Sequence, residues 1–214
     1  MYLWGVNENN APYIVSIAGG SASGKTSFLN ALLEAFSEDE ISLVSQDNYY
    51  RPFEEQQKDE NGWVNFDLPT SINEEEFTND LKNLKKGKAI ERLEYTFNNP
   101  AVTPAMIVTK PSPIIITEGL FVFHYNEVQR LADYKVYLHA SPEIRLERRI
   151  KRDHVERGYP ENEVRYQWEH HVRPADKNFL EPYQHLANQT VFNDVSYDMG
   201  LKVLIAHLRQ HLKK

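Results

Sequence analysis

No cysteine occurs in the 214 residues of this chain, which excludes disulfide bridges and thiolate-held zinc. Long hydrophobic runs are also missing: the apolar stretches are strand-sized, well short of the roughly 20 residues a membrane-spanning helix needs. The N-terminal MYLWGVNENN lacks the basic start and apolar core of a secretion signal. These absences lead to the expectation of a cytoplasmic protein with no membrane partner. Positive charge is not in excess either, since 31 Asp and Glu outweigh 24 Lys and Arg for a formal net charge of −7. General nucleic-acid binders carry the opposite balance, because neutralising phosphates supplies much of their affinity, so no nucleic-acid partner is expected. Repeats, low-complexity tracts and a dividing linker are lacking, so residues 1–214 read as one domain. What is present, 41% hydrophobic and 26% charged residues, is the composition of a globular chain able to bury a core.

Short β-rich runs alternate with helical ones. Residues 13–18 (YIVSIA), 41–45 (ISLVS), 114–117 (IIIT) and 134–138 (YKVYL) read as strands, and the unbroken apolar IIIT run fits a strand buried on both faces. Helices are predicted over 25–36, 74–86, 142–156, 161–172 and 198–212 from apolar residues at helical spacing. Ser71 and Glu74 fit a capping box for the second helix and Gly87 its stop. Such alternation predicts an α/β fold of the P-loop NTPase type, a parallel sheet flanked by helices. Two stretches interrupt it. Residues 48–69 are long, polar and aromatic, more a functional loop than a connector. Residues 89–111 hold β-like fragments around Asn98-Asn99 and read as a small hairpin beside the sheet.

The chemistry begins at GGSASGKT, residues 19–26, which satisfies G-x-x-x-x-G-K-[ST] between an apolar strand and an amphipathic helix. Gly19, Gly20, Ser21, Ala22, Ser23 and Gly24 would wrap backbone N–H groups around phosphates. The helix start at Lys25, Thr26 and Ser27 adds a favourable dipole. Lys25 would reach the β- and γ-phosphates of ATP, and the Thr26 hydroxyl would ligate Mg²⁺. The IIIT strand ends in Glu118, a carboxylate at the ligand edge of the sheet and a second candidate for Mg²⁺. The second strand runs into Asp47, which could accept the proton of an attacking hydroxyl. Arg145, Arg148, Arg149 and Arg152 fall at i, i+3, i+4 and i+7 on one helix face. Glu147, Asp153 and Glu156 are in reach for pairs such as Arg152 with Glu156, so a solvated, salt-bridged face is the plainer reading. His170 and His171 point about 100° apart on a helix and read as surface or packing residues.

GGSASGKT, QDNYY (46–50), NFDLP (65–69), TEG (117–119), RRIKRDHVERG (148–158) and HVRPADKNFLEPYQHLAN (171–188) together resemble the uridine kinase family of P-loop kinases, in order and over most of the chain. The resemblance implies that Asp47 is the catalytic base and a neighbour of Mg²⁺. It implies that Asp67, beside Phe66, hydrogen-bonds the ribose hydroxyls of a nucleoside, and that Tyr95 and Phe97 flank the base. Residues 141–173 would form a lid in which Arg149, Arg152 and Arg157 contact ATP phosphates and substrate, with Gln167 approaching the base. It further implies a homo-oligomer.

The chain departs from the family pattern in two places. Pro100 and Val102 stand where the family carries a histidine and then an arginine, and Tyr159 where it carries another arginine. These changes remove polar partners from the base pocket. Uridine or cytidine is the expected acceptor, with another small hydroxyl substrate or a catalytically inactive nucleotide-binding regulator as alternatives. A regulatory GTPase would carry N-K-x-D, which is absent; the lone D-x-x-G, residues 59–62, lies in a polar loop.

Overall fold

The computed structural model describes residues 11–96 and 102–213. Among them β1 (Tyr13–Ala18), β2 (Ile41–Ser45), β5 (Ile114–Gly119), β6 (Tyr134–His139) and β7 (Gln189–Phe192) form a parallel sheet in the order β2-β5-β1-β6-β7. A separate antiparallel ribbon pairs β3 (Ile90–Leu93) with β4 (Met106–Thr109). Alternation along the central strands builds a core on each side. Val15, Ile17, Ile114, Ile116, Val136 and Leu138 meet Phe28, Leu29 and Leu32 of α1 (Lys25–Leu33) and Leu204 and Leu208 of α7 (Asp198–His211). Ile14, Ile115 and Tyr137 face the other way, onto Phe77, Leu81 and Leu84 of α2 (Glu74–Lys85) and Val128 of α3 (Asn126–Leu131). A strand buried on both faces has no polar side, hence the uninterrupted isoleucines.

Several boundaries differ from those expected. α1 stops at Leu33, and tight turns in which Ala35 N–H donates to Leu32 O and Phe36 N–H to Leu33 O carry the apolar pattern on. The cap of α2 is Asn73, whose side chain accepts from Glu76 N–H; Ser71 lies in a preceding 3₁₀ turn and donates to Asn65 O. β5 continues through Glu118 and Gly119, because β1 and β2 pair with it to that point. Neither β7, with its polar Gln189 and Thr190, nor the six-residue α3 carries a periodic signal.

The segment that follows α4 (Pro142–Arg157) is less regular than one helix. α5 (Glu161–Gln167) passes into a π-helical turn, Trp168–Val172, then α6 (Arg173–Ala175) and a second π-turn, Asp176–Leu180. Arg173 N–H reaches back five residues to Trp168 O, and Pro174, having no N–H, cannot continue the ordinary ladder. No helix among the described residues is long and apolar enough to cross a membrane.

Candidate active site

Placing β5 between β1 and β2 brings the C-terminal ends of three neighbouring strands together, the edge at which open α/β sheets bind ligands. β1 delivers the loop 19–24. Ala22 and Gly24 hold left-handed φ of 60° and 96°, backbone conformations of the kind from which anion-binding concavities are built. Side chains press on the loop from outside: a Cβ at Gly20 would lie 2.2 Å from Arg145 Nη2, and one at Gly24 2.3 Å from Asn193 Nδ2. Asn193 donates to Ser23 O (2.8 Å), while Arg145 Nε and Arg149 Nη1 donate to Ser21 O and Ser21 Oγ at 2.8 Å each. Lys25 Nζ donates to Gly19 O at 2.8 Å. Burial lowers the lysine's pKa, against the pull of Glu118 and Asp47. Thr26 and Ser27 sit exposed in the first turn of α1.

Two carboxylates face this loop, Glu118 near the end of β5 and Asp47 in the 3₁₀ turn (Gln46–Tyr49) that follows β2. Glu118 is in register with Ser45 on β2 and Ile17 on β1. Ser45 Oγ donates to Glu118 Oε1 at 2.5 Å and accepts from Asp47 N–H at 3.3 Å. One hydroxyl therefore ties the two acids together. Burial raises the pKa of both; Glu118, also repelled by Asp47, is pushed up to about 7, while Lys25, Arg157 and Arg152 pull Asp47 the other way. Paired buried acids with raised pKa values bind protons or cations readily. Among the described residues no group of three or more His, Asp or Glu could hold a metal unaided, so a cation here would take most of its ligands from phosphate and water, the habit of Mg²⁺.

Beyond Asp47 lies an aromatic wall. Tyr50 packs 5.8 Å from Phe66 and 4.9 Å from Tyr95, ring centre to centre. Its phenol is driven well above its usual pKa by burial and then by Asp47 and Asp67. In the sequence Tyr50 enters only as the last residue of QDNYY, with nothing to set it apart from Tyr49. Asp67 is buried, with its N–H held by Asn65 Oδ1 at 2.9 Å. Tyr95 lies past the end of β3 rather than on a strand, fixed by its N–H to Asn48 Oδ1 (3.0 Å). Phe97 and Pro100 fall outside the described residues; Val102 and Tyr159 are exposed. A cavity of about 610 Å³ opens beside this wall, sharing Asn48, Tyr50 and Tyr95; a larger one of about 670 Å³ lies away from the loop, against α2 and His124.

The arginine face of α4 is not the solvated stripe its charge spacing allows. Arg145 and Arg149 are each 6% exposed. Arg145 pairs with Asp176 (2.9 Å) and lies over the Trp168 ring. Arg149 Nη2 donates to Gln167 Oε1 at 2.9 Å, so that glutamine engages the lid arginine directly. Arg152 pairs with Asp153 (2.8 Å); the side chain of Glu156 lies outside the described residues. The loop 48–69 also reaches this region. Asp59 Oδ2 accepts from Tyr166 Oη (2.8 Å) and lies 2.7 Å from Nε2 of His171, which is buried. His170 stacks on Tyr166.

This constellation can be set against known proteins. Residues 14–197 match the Phosphoribulokinase / Uridine kinase family. The chain belongs to that family. A uridine kinase from Brevibacillus brevis is 32% identical over 88% of this chain and 90% of its own length. Uridine kinase-like protein 3 of Arabidopsis thaliana is 29% identical over 96% of this chain, which spans only 44% of that protein. Among solved structures, phosphoribulokinase from Rhodobacter spheroides superimposes with a TM-score of 0.62 at 14% identity, over 86% of this chain and 70% of its own; that likeness supports the P-loop kinase fold.

Proposed function

We propose that this member of the family transfers the γ-phosphoryl group of ATP to the 5′-hydroxyl of a nucleoside, uridine or cytidine, in pyrimidine salvage in the cytoplasm. The observation that carries the reading is Asp47, whose backbone N–H is held by the same Ser45 hydroxyl that bonds Glu118 and whose carboxylate is attracted by Lys25, where the phosphate-loop edge meets the acceptor wall.

The loop from Gly19 to Gly24 would hold the triphosphate through its N–H groups, with Lys25 leaving the Gly19 carbonyl for the phosphates. Thr26, Glu118 and Asp47 would hold Mg²⁺, whose chemistry is to neutralise charge on the phosphoryl oxygens. Asp67 would accept hydrogen bonds from two vicinal ribose hydroxyls, a task a carboxylate can perform with both oxygens. Tyr50, Phe66 and Tyr95 would pack the base. As the acceptor oxygen bonds to the γ-phosphorus and the bond to the bridging oxygen of ADP breaks, Asp47 would take the hydroxyl proton. Arg149, Arg152 and Arg157 would balance charge that builds on the migrating group. With Val102 and Tyr159 in place of polar base readers, discrimination among bases falls to the aromatic wall and Gln167.

The test is ADP release from MgATP with and without added nucleoside, in the parent and in Asp47→Asn. Acceptor-dependent release that falls by about 10²-fold or more in the variant, with nucleotide binding kept, is expected. Near-parental turnover in the variant would remove Asp47 from the role of base.

A further inference from the structure

Asp153 gathers three of the lid's arginines. Its side chain is fully buried in α4. Arg149 Nε lies 3.3 Å from Oδ2 one turn before it, Arg152 Nε 2.8 Å from Oδ1 beside it, and Arg157 Nη1 3.4 Å from Oδ1 one turn after it. Three guanidinium groups thus converge on one carboxylate. A buried ion network is by itself weak support for stability. Burial, Arg152 and Arg149 all lower the pKa of Arg157 while Asp153 raises it. Without the carboxylate these like charges would separate.

The contacts are also loose in a particular way. Of the three, the Arg152 contact is a directed hydrogen bond; Asp153 Oδ2 and Arg149 Nε have no hydrogen-bond partner among the described residues although they face each other. The carboxylate thus holds Arg149 Nε by charge, while the outer nitrogens of that guanidinium donate to Ser21 Oγ and Gln167 Oε1.

We infer that Asp153 is a positioning residue that gathers Arg149, Arg152 and Arg157 above the phosphate loop and holds them ready for the charge of phosphoryl transfer. The inference rests on the proposed phosphotransferase function. It distinguishes alignment from binding: nucleotide phosphates recruit cations in any case, whereas a transition state needs them already in place.

Asp153→Asn tests it. The expected result is a kcat lower by about 10–100-fold, the penalty of a misaligned catalytic group, while the Kd for MgADP changes by less than about threefold. Asp153→Glu, which keeps the charge on a longer arm, should fall between the variant and the parent. A folded Asp153→Asn protein with kcat within about twofold of parent would overturn the inference. Loss of kcat and MgADP affinity together with a lowered Tm would overturn it as well, since Asp153 would then serve stability alone. Should the Asn variant not fold, Asp153→Glu decides: reduced kcat at unchanged MgADP affinity supports the inference and parental kcat refutes it. Acceptor-dependent turnover of the parent, measured alongside, reports separately on the proposed function.

Discussion

At the scale of single residues, the buried acids should dominate the response to pH. Glu118 titrates near 7 in the folded protein, against roughly 4.3 in an unfolded chain. Between those values the folded state binds more protons than the unfolded one. This group's contribution to stability therefore falls as pH rises through that window, and the full penalty is present above pH 7. Glu118→Gln should raise the Tm of the nucleotide-free protein at pH 8, flatten its decline from pH 5.5 to 8, and cut turnover; thermal denaturation across that range checks it. A Tm at pH 8 below that of the parent would contradict the assignment of Glu118 as a strained, functional acid. Asp67→Ala should raise the acceptor KM by about 10–100-fold, the worth of hydrogen bonds to a charged group, and leave the KM for ATP within about threefold. Initial-rate kinetics with each substrate varied would show it. Asp47, Asp67 and Glu118 were legible because each carboxylate follows an apolar strand or sits in a specific string of residues. Tyr50 was not, since its importance comes from Asp47 and Asp67 converging on one phenol across the fold.

Individual elements are held together by side chains that no periodicity reveals. Asp59 lies in a loop that pattern alone marks as solvated, yet burial's upward push on its pKa is outweighed by hydrogen bonds from His171, Tyr166 and the backbone N–H groups of Trp63 and Asn61. Tyr166 Oη both donates to Asp59 and accepts from Asn61 Nδ2 at 2.7 Å. The loop that carries Phe66 and Asp67 is thereby pinned to the element that carries Gln167. Tyr166→Phe should loosen the pin, speed amide hydrogen exchange over residues 57–66, and raise the acceptor KM by severalfold without a comparable change for ATP. At the lid base, Arg145 and Asp176 form a buried pair, 2.9 Å apart, that braces the loop at Ser21. Asp176→Ala leaves a buried guanidinium unmatched, at a cost of about 3–5 kcal/mol, so differential scanning calorimetry should find Tm lower by about 10 °C. The arginine spacing was readable from sequence. Burial of Arg145 and Arg149 was not, because Asp176, the counterion of Arg145, and Gln167, the partner of Arg149, lie on other elements, and the π-turns around Pro174 deliver the first of them.

For the molecule as a whole, the alternation of strands and helices foretold a parallel sheet, and the strand-loop-helix around GGSASGKT foretold which edge matters. The order β2-β5-β1-β6-β7 was not legible, since each strand's apolar residues fit many neighbours equally well. That order puts β5 between the other two functional strands, and so assembles the loop, Asp47 and Glu118 into one site. The central claim is that this site moves a phosphoryl group from ATP to a nucleoside. The most direct measurement follows the parent protein with MgATP and uridine or cytidine by ³¹P NMR. Nucleoside 5′-monophosphate and ADP should appear in equal amounts, with neither formed at a comparable rate when the nucleoside is omitted. ADP and free phosphate without a phosphorylated nucleoside, or no turnover with either pyrimidine nucleoside, would contradict the claim.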